Sequence, residues 1–225
     1  MRKKNTFSTD MILPGSSTFY VMGIDQSLNS TGVSVVRAIN GLTEPIIKET
    51  IGVFGKTGME RLDIIVNRIL DLAGLHAPNL ICMEDVTRMA SSASIIPLTE
   101  LYAVIKFELW KRKLPLRVQN QSQMKKFNFG QGDVSKDSNY MLKVFDATGE
   151  RFVDDNQADA FMHAKLGVEV IRFLQKQKTL SDYEAPQQEV LLASAMKASG
   201  LTQGKFKKLT EEEKMKLVLQ STLLS

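Results

Sequence analysis

Three acids in this chain stand at positions where a carboxylate is costly. Asp25 closes the apolar run Phe19-Tyr20-Val21-Met22-Gly23-Ile24, and Glu84 closes Leu80-Ile81-Cys82-Met83. Asp159 falls one turn into a helix expected to begin near Asp155. A carboxylate at the end of a buried strand must be desolvated, so it needs a strong partner. Three of them, on elements that pack side by side, point to a cluster of oxygen ligands for hard divalent cations. That in turn points to metal-dependent chemistry on phosphate.

The elements that must carry these acids can be read in order. Residues 1–17, ending in Pro14-Gly15-Ser16-Ser17, form a loose arm. Strands are expected near 18–25, 32–39 and 45–54, broken by Gly32 and the Asn40-Gly41 turn. Thr57-Gly58-Met59-Glu60 reads as a capping box opening a helix with Leu62, Ile65, Val66, Ile69 and Leu72 on one face. Pro78 closes it, and a strand over 79–86 delivers Glu84. A serine-containing loop (Ser91, Ser92, Ser94) leads to a helix near 97–112 whose apolar face holds Leu98, Leu101, Ile105 and Leu109. A short strand at 114–119, a Lys-, Gly- and Phe-rich stretch from Gln121 to Lys136, and helices near 137–147 and 155–177 follow. This order is that of an α/β domain: a five-stranded mixed sheet, three antiparallel strands and then parallel ones, with helices on both faces. Residues 178–225 are read as a helical extension, with Thr210-Glu211-Glu212-Glu213 as a second capping box.

The chain has 225 residues, 43% apolar and 24% charged, the composition of a soluble globular protein of one moderate domain. No apolar run reaches the roughly 20 residues that a membrane helix needs. Met1-Arg2-Lys3-Lys4 is basic but lacks the apolar core of a secretory signal. The lone Cys82 falls in an apolar strand and is read as a buried thiol in a reducing compartment, so a cytoplasmic location is expected. Net charge is only +4, yet Leu101–Phe145 carries nine Lys or Arg against three acids. A concentrated basic stretch beside an acid cluster suits an enzyme of the phosphate backbone: cations hold the polyanion while acids hold the metal.

The motifs narrow this further. Gly23-Ile24-Asp25-Gln26-Ser27-Leu28-Asn29-Ser30-Thr31-Gly32 sets an acid before a small polar hairpin. Sugar kinases of the actin-like superfamily open similarly, but they duplicate the fold, need about twice this length, and carry a second phosphate motif not seen here. Asp155-Asn156-Gln157-Ala158-Asp159-Ala160-Phe161 places Asp155 or Asn156 on the helical face of Asp159. With Ile81-Cys82-Met83-Glu84-Asp85-Val86, Glu100-Leu101-Tyr102-Ala103-Val104-Ile105 and Met124-Lys125-Lys126-Phe127-Asn128-Phe129-Gly130-Gln131-Gly132 followed by Lys136, these segments resemble the RuvC family of Holliday-junction resolvases, in particular its phage-encoded members. The resemblance runs from about Tyr20 to Leu166.

The resemblance implies an RNase H-like fold and endonuclease activity on branched DNA, usually by a homodimer, in the host cytoplasm if phage-encoded. It implies two Mg²⁺ or Mn²⁺ ions held by Asp25, Glu84 and Asp159. At the fourth ligand position of many relatives stands Asn156, whose amide oxygen brings no charge; Asp155 is read as the helix cap, with a ligand role as the alternative. Lys125, Lys126, Lys136 and Arg88 are the candidate DNA contacts, and Phe127 is an anchor for its loop. His163 is read as an ordinary packed or exposed histidine outside the site. Thr87 stands where bacterial members carry an aromatic implicated in stacking at the junction, so broader substrate choice is expected, including three-way junctions or forks. The rival class is a branched-DNA-binding protein without catalysis.

Overall fold

The computed structural model describes residues 17–86 and 95–223. Residues 1–16 of the expected arm, and Thr87, Arg88, Met89 and the serine loop, lie outside the described residues.

The strands are β1 (Thr18–Asp25), β2 (Ser30–Ile39), β3 (Leu42–Gly52), β4 (Leu80–Glu84) and β5 (Leu116–Gln119). They form one sheet in the order β3-β2-β1-β4-β5. β1 pairs antiparallel with β2, and β2 with β3, while β4 lies parallel to both β1 and β5. The five-stranded mixed sheet is therefore the one expected. Asn40 (φ 48°) and Gly41 (φ 83°) make the hairpin turn, whose two left-handed residues match the twist of the strands they join. β3 starts at Leu42 rather than 45, because Pro45 is tolerated on an edge strand beside the irregularity between Val35 and Val36.

Helix α1 (Gly58–His76) and α2 (Ile95–Lys111) cover one face, packing on Met22, Ile24, Val33, Val35, Ile81 and Met83. The buried stripes are those read from the sequence: Leu62, Ile65, Val66, Ile69 and Leu72 on α1, and Leu98, Leu101, Ile105 and Leu109 on α2. The capping box at Thr57 is not formed; Thr57 makes no side-chain cap bond, and Glu60 instead pairs with Lys56 at 2.5 Å.

The other face is covered by α3 (Gln121–Phe129), α4 (Tyr140–Thr148) and α5 (Asp155–Leu174). Helix α3 was not anticipated. Asn120 caps it by accepting a hydrogen bond from the Ser122 N–H, and Gly130 (φ 78°) ends it in the left-handed region.

After α5 the chain passes through a 3₁₀ turn (Leu180–Asp182) into α6 (Ala185–Ser199), α7 (Gln203–Lys207) and α8 (Glu211–Leu223). Thr210 and Glu213 do form the expected capping box. Val190, Leu191, Phe206 and Val218 share one core with α5 and the sheet. Arg117 of β5 reaches into this layer, donating to Thr222 Oγ1 and Ser194 Oγ at 3.0 Å each.

Candidate active site

Asp25 and Glu84 are the last residues of neighbouring parallel strands. The register Ile24↔Met83 makes them the next pair, and alternation turns both toward the α5 face, with Val21 and Cys82 behind them. What brings Asp159 to the same place is the absence of two side chains. A Cβ on Gly23 would lie 1.8 Å from the Ala160 carbonyl oxygen, and one on Gly32 would lie 2.0 Å from that of Asn156. The first turns of α5 therefore lie directly on β1 and β2, and Asp159 sits over the strand ends.

All three acids are buried. Burial raises the Asp25 carboxyl pKa well above its usual range, and the charges of Asp159 and Glu84 push it the same way. Burial also raises Glu84, opposed by its hydrogen bond with Asp25. Asp159 is held on both oxygens: the Tyr140 hydroxyl donates to Oδ1, and the Lys136 ammonium lies 2.7 Å from Oδ2. The same ammonium lies 2.8 Å from Asp155 Oδ2. These carboxylates keep the Lys136 pKa above its usual value despite desolvation, and Tyr140 is raised by burial and by Asp159. The Lys136 hydrogen bond lowers Asp155.

Other groups brace the cluster. The Gln26 side-chain amide donates to the Glu84 carbonyl at 2.8 Å. His163, fully buried one turn beyond Asp159, contacts Gln119 Oε1 through Nδ1 at 2.9 Å, and burial pushes its pKa down to about 4.

The cap of α5 is Asp154, not Asp155. Its Oδ1 accepts from the Gln157 N–H and its Oδ2 from the Thr50 hydroxyl, so its neighbour Asp155 is left to pair with Lys136. Asn156 is partly buried on the first turn of α5, three residues before Asp159.

The expected DNA contacts fare differently. Lys125 is buried rather than solvent-facing: its ammonium donates to the Val134 carbonyl at 2.7 Å and lies 5.7 Å from the centre of the Tyr140 ring. Its apolar stem packs inward while the charge is met by a carbonyl and a ring face. Lys126 is half-exposed and pairs with Glu189 at 2.7 Å. Lys136 belongs to the acid cluster, and Arg88 lies outside the described residues. Phe127 is buried against Tyr183, as its reading as an anchor required. Tyr140 escaped the sequence reading because no motif marks it; only its place at the start of a helix after the basic loop singles it out.

Among the described residues, no three His, Cys, Asp or Glu side chains converge on one point as they stand. The donor set nevertheless suits a hard divalent cation. It is all oxygen and buried, its members repel one another, and an ammonium stands in as the local cation.

The model of the family described as crossover junction endodeoxyribonuclease RuvC matches residues 21–165. Among solved structures, the chain is similar to Thermus thermophilus RuvC in complex with a Holliday junction substrate, with a TM-score of 0.56 and 20% identity over 65% of this chain and 90% of that one. A second Thermus thermophilus RuvC structure gives 0.53 and 21% identity over 64% and 90%. At such identity the likeness is one of fold, and the fold is the RNase H-like one expected. No curated protein matches the chain in sequence.

Proposed function

This chain belongs to the RuvC family of crossover junction endodeoxyribonucleases, and we propose that it is a structure-specific endonuclease that cuts branched DNA by metal-dependent hydrolysis. The observation that supports this most directly is the burial of Asp25, Glu84 and Asp159 as neighbours at the ends of β1 and β4 beneath α5, near enough for the charges of Asp159 and Glu84 to raise the Asp25 pKa. Mg²⁺ or Mn²⁺, two ions per site, would be held by these three carboxylates, with the neutral amide of Asn156 as a weaker fourth group. When bound, such ions supply an activated water and stabilise charge on a departing 3′ oxygen. The products are then a 5′-phosphate and a 3′-hydroxyl.

The chain's own residues set the rest. Tyr140 fixes the rotamer of Asp159, and the Gln26 bond to the Glu84 backbone fixes the end of β4. Half-exposed Lys126, and Lys136 on the rim of the cluster, supply positive charge for the phosphate backbone, together with Arg88. Residues 18–177 are then the nuclease domain and 178–225 an extension, whose described residues, 178–223, pack on it.

Resolving a four-way junction takes two sites related by a two-fold axis. Helix α2 offers a surface for a homodimer. Ile96, Ala103, Phe107 and Trp110 form one exposed stripe, with the Phe107 and Trp110 rings stacked at 6.1 Å.

The test is nicking of a synthetic four-way junction with and without Mg²⁺, beside a three-way junction, a fork and a linear duplex. Metal-dependent cutting of the branched substrates alone supports the proposal. Binding without cutting under every metal condition makes the chain a branched-DNA-binding protein.

A further inference from the structure

Lys136 holds an unusual position for a DNA-contacting lysine. Its ammonium is bound between Asp159 and Asp155 at 2.7 and 2.8 Å, 5.8 Å from the centre of the Tyr140 ring, where it balances part of the charge of a buried acid cluster. With Tyr140 on Oδ1 and Lys136 on Oδ2, both oxygens of Asp159 are engaged. A cation arriving at Asp159 Oδ2 meets the Lys136 ammonium at close range, and the repulsion between them favours displacement of the lysine.

Tyr140 is the harder of the two to move, because it is buried and belongs to α4. Lys136 is built to leave. It lies in the loop between α3 and α4, and its side chain is 34% exposed. Its backbone is pinned on both sides. Before it, the Val134 carbonyl accepts from Lys125; after it, the Asp137 carboxylate accepts from the Ser135 hydroxyl, the Asn139 N–H and Lys143. The four-carbon stem can therefore swing to solvent while the loop stays in place. Exchanging one ammonium for a dication in a site of several carboxylates is electrostatically favourable.

We propose that Lys136 is an exchangeable counter-ion: it holds the acid cluster closed until a divalent cation displaces it, and the released ammonium then turns outward to the phosphate backbone. This rests on the metal-dependent reading given above. The lysine thus couples two events, since loading the site also presents a positive charge at its rim. It is a positioning residue, acting through Asp159.

Two measurements on the 225-residue, DNA-free chain test this. First, Mn²⁺ binding is followed by the loss of the free-ion EPR signal. Lys136→Met should bind about tenfold more tightly than wild type, because the competing charge is gone. Second, in wild type, which avoids any folding defect of the variant, the acetylation rate of Lys136 is followed by mass spectrometry. Mn²⁺ should raise that rate several-fold while Lys125 stays slow; this separates displacement from a mere loss of charge. If Mn²⁺ binds and Asp25→Asn abolishes that binding, yet Lys136 acetylation does not change, the counter-ion proposal falls and the metal reading stands. If Mn²⁺ does not bind, or binds equally well to Asp25→Asn, both fall.

Discussion

Gly23 and Ala160 meet so closely that the β1 backbone lies against the carbonyl of α5 with no room for a methyl group between them. This contact sets the height of α5 above the sheet, and so the position of Asp159 over Asp25 and Glu84.

Gly23→Ala must therefore push α5 away or distort β1. We expect a loss of about 3 kcal/mol or more in urea unfolding, at the upper end for overpacking because the obstacle is backbone rather than a flexible side chain. Any folded fraction should bind junctions yet nick them poorly. Near-normal stability and nicking would show that the helix is free to shift.

Asp25→Asn, Glu84→Gln and Asp159→Asn should each reduce cleavage by several orders of magnitude while leaving junction binding intact or tighter, since less negative charge then faces the backbone. Asn156→Ala should cost far less. In the absence of metal, Asp25→Asn should raise the thermal midpoint, because it relieves the repulsion and desolvation that raise the Asp25 pKa. Asp159→Asn should not do so, because it leaves Lys136 and Tyr140 with a weaker acceptor. Gel-shift, single-turnover nicking and calorimetry on the four variants check this ranking.

His163 predicts a pH signature. Its pKa is about 4 in the folded chain against an ordinary 6.5, so between these values the unfolded chain takes up a proton that the folded chain does not. Stability present above 6.5 is therefore lost as pH falls through this window. Asp25 and Glu84 work in the opposite sense, because their raised values favour the folded chain as pH falls toward the ordinary carboxyl range. Comparing wild type with His163→Gln isolates the histidine. In metal-free buffer, the urea midpoint of wild type should fall relative to the variant between pH 7 and pH 4.5. Parallel curves would mean that His163 is not held neutral.

The two adjacent lysines of α3 should behave differently. Lys126→Ala breaks only an exposed ion pair, so its stability cost should stay below about 1 kcal/mol. It should flatten the salt dependence of junction binding by about one unit of slope. Lys125→Met removes a buried bond to Val134 and should cost about 1–3 kcal/mol in stability, with little change in that slope. Equal slopes for both variants would place Lys125 in the interface.

The sheet and its acids were legible because β1 and β4 are unbroken apolar runs, and each ends on a carboxylate that has nowhere polar to go. Asp159 was legible from helical spacing once α5 was recognised. The fate of the lysines was not. Whether a lysine points outward depends on what covers its stem, and Lys125 is met by Val134 of the loop between α3 and α4 and by Tyr140, partners outside its own helix. Helix α3 went unread although Asn120 and Gly130 mark its two ends, because a basic sequence with few apolar residues hides the period between them. At Thr57 the sequence pattern of a capping box was present, but the side chain made no cap bond and Glu60 went to Lys56.

Cys82 lies on β4 where α5 passes over it; a Cβ on Gly167 would come within 2.5 Å of its sulfur. Burial pushes the thiol pKa up to about 12, so thiolate is scarce at neutral pH and reagents cannot reach it. In practice the folded protein should behave as cysteine-free toward maleimides. A cysteine introduced at an exposed position such as Leu142 of α4 would then carry a fluorophore at one known place, with the native thiol left where the packing of α5 requires it.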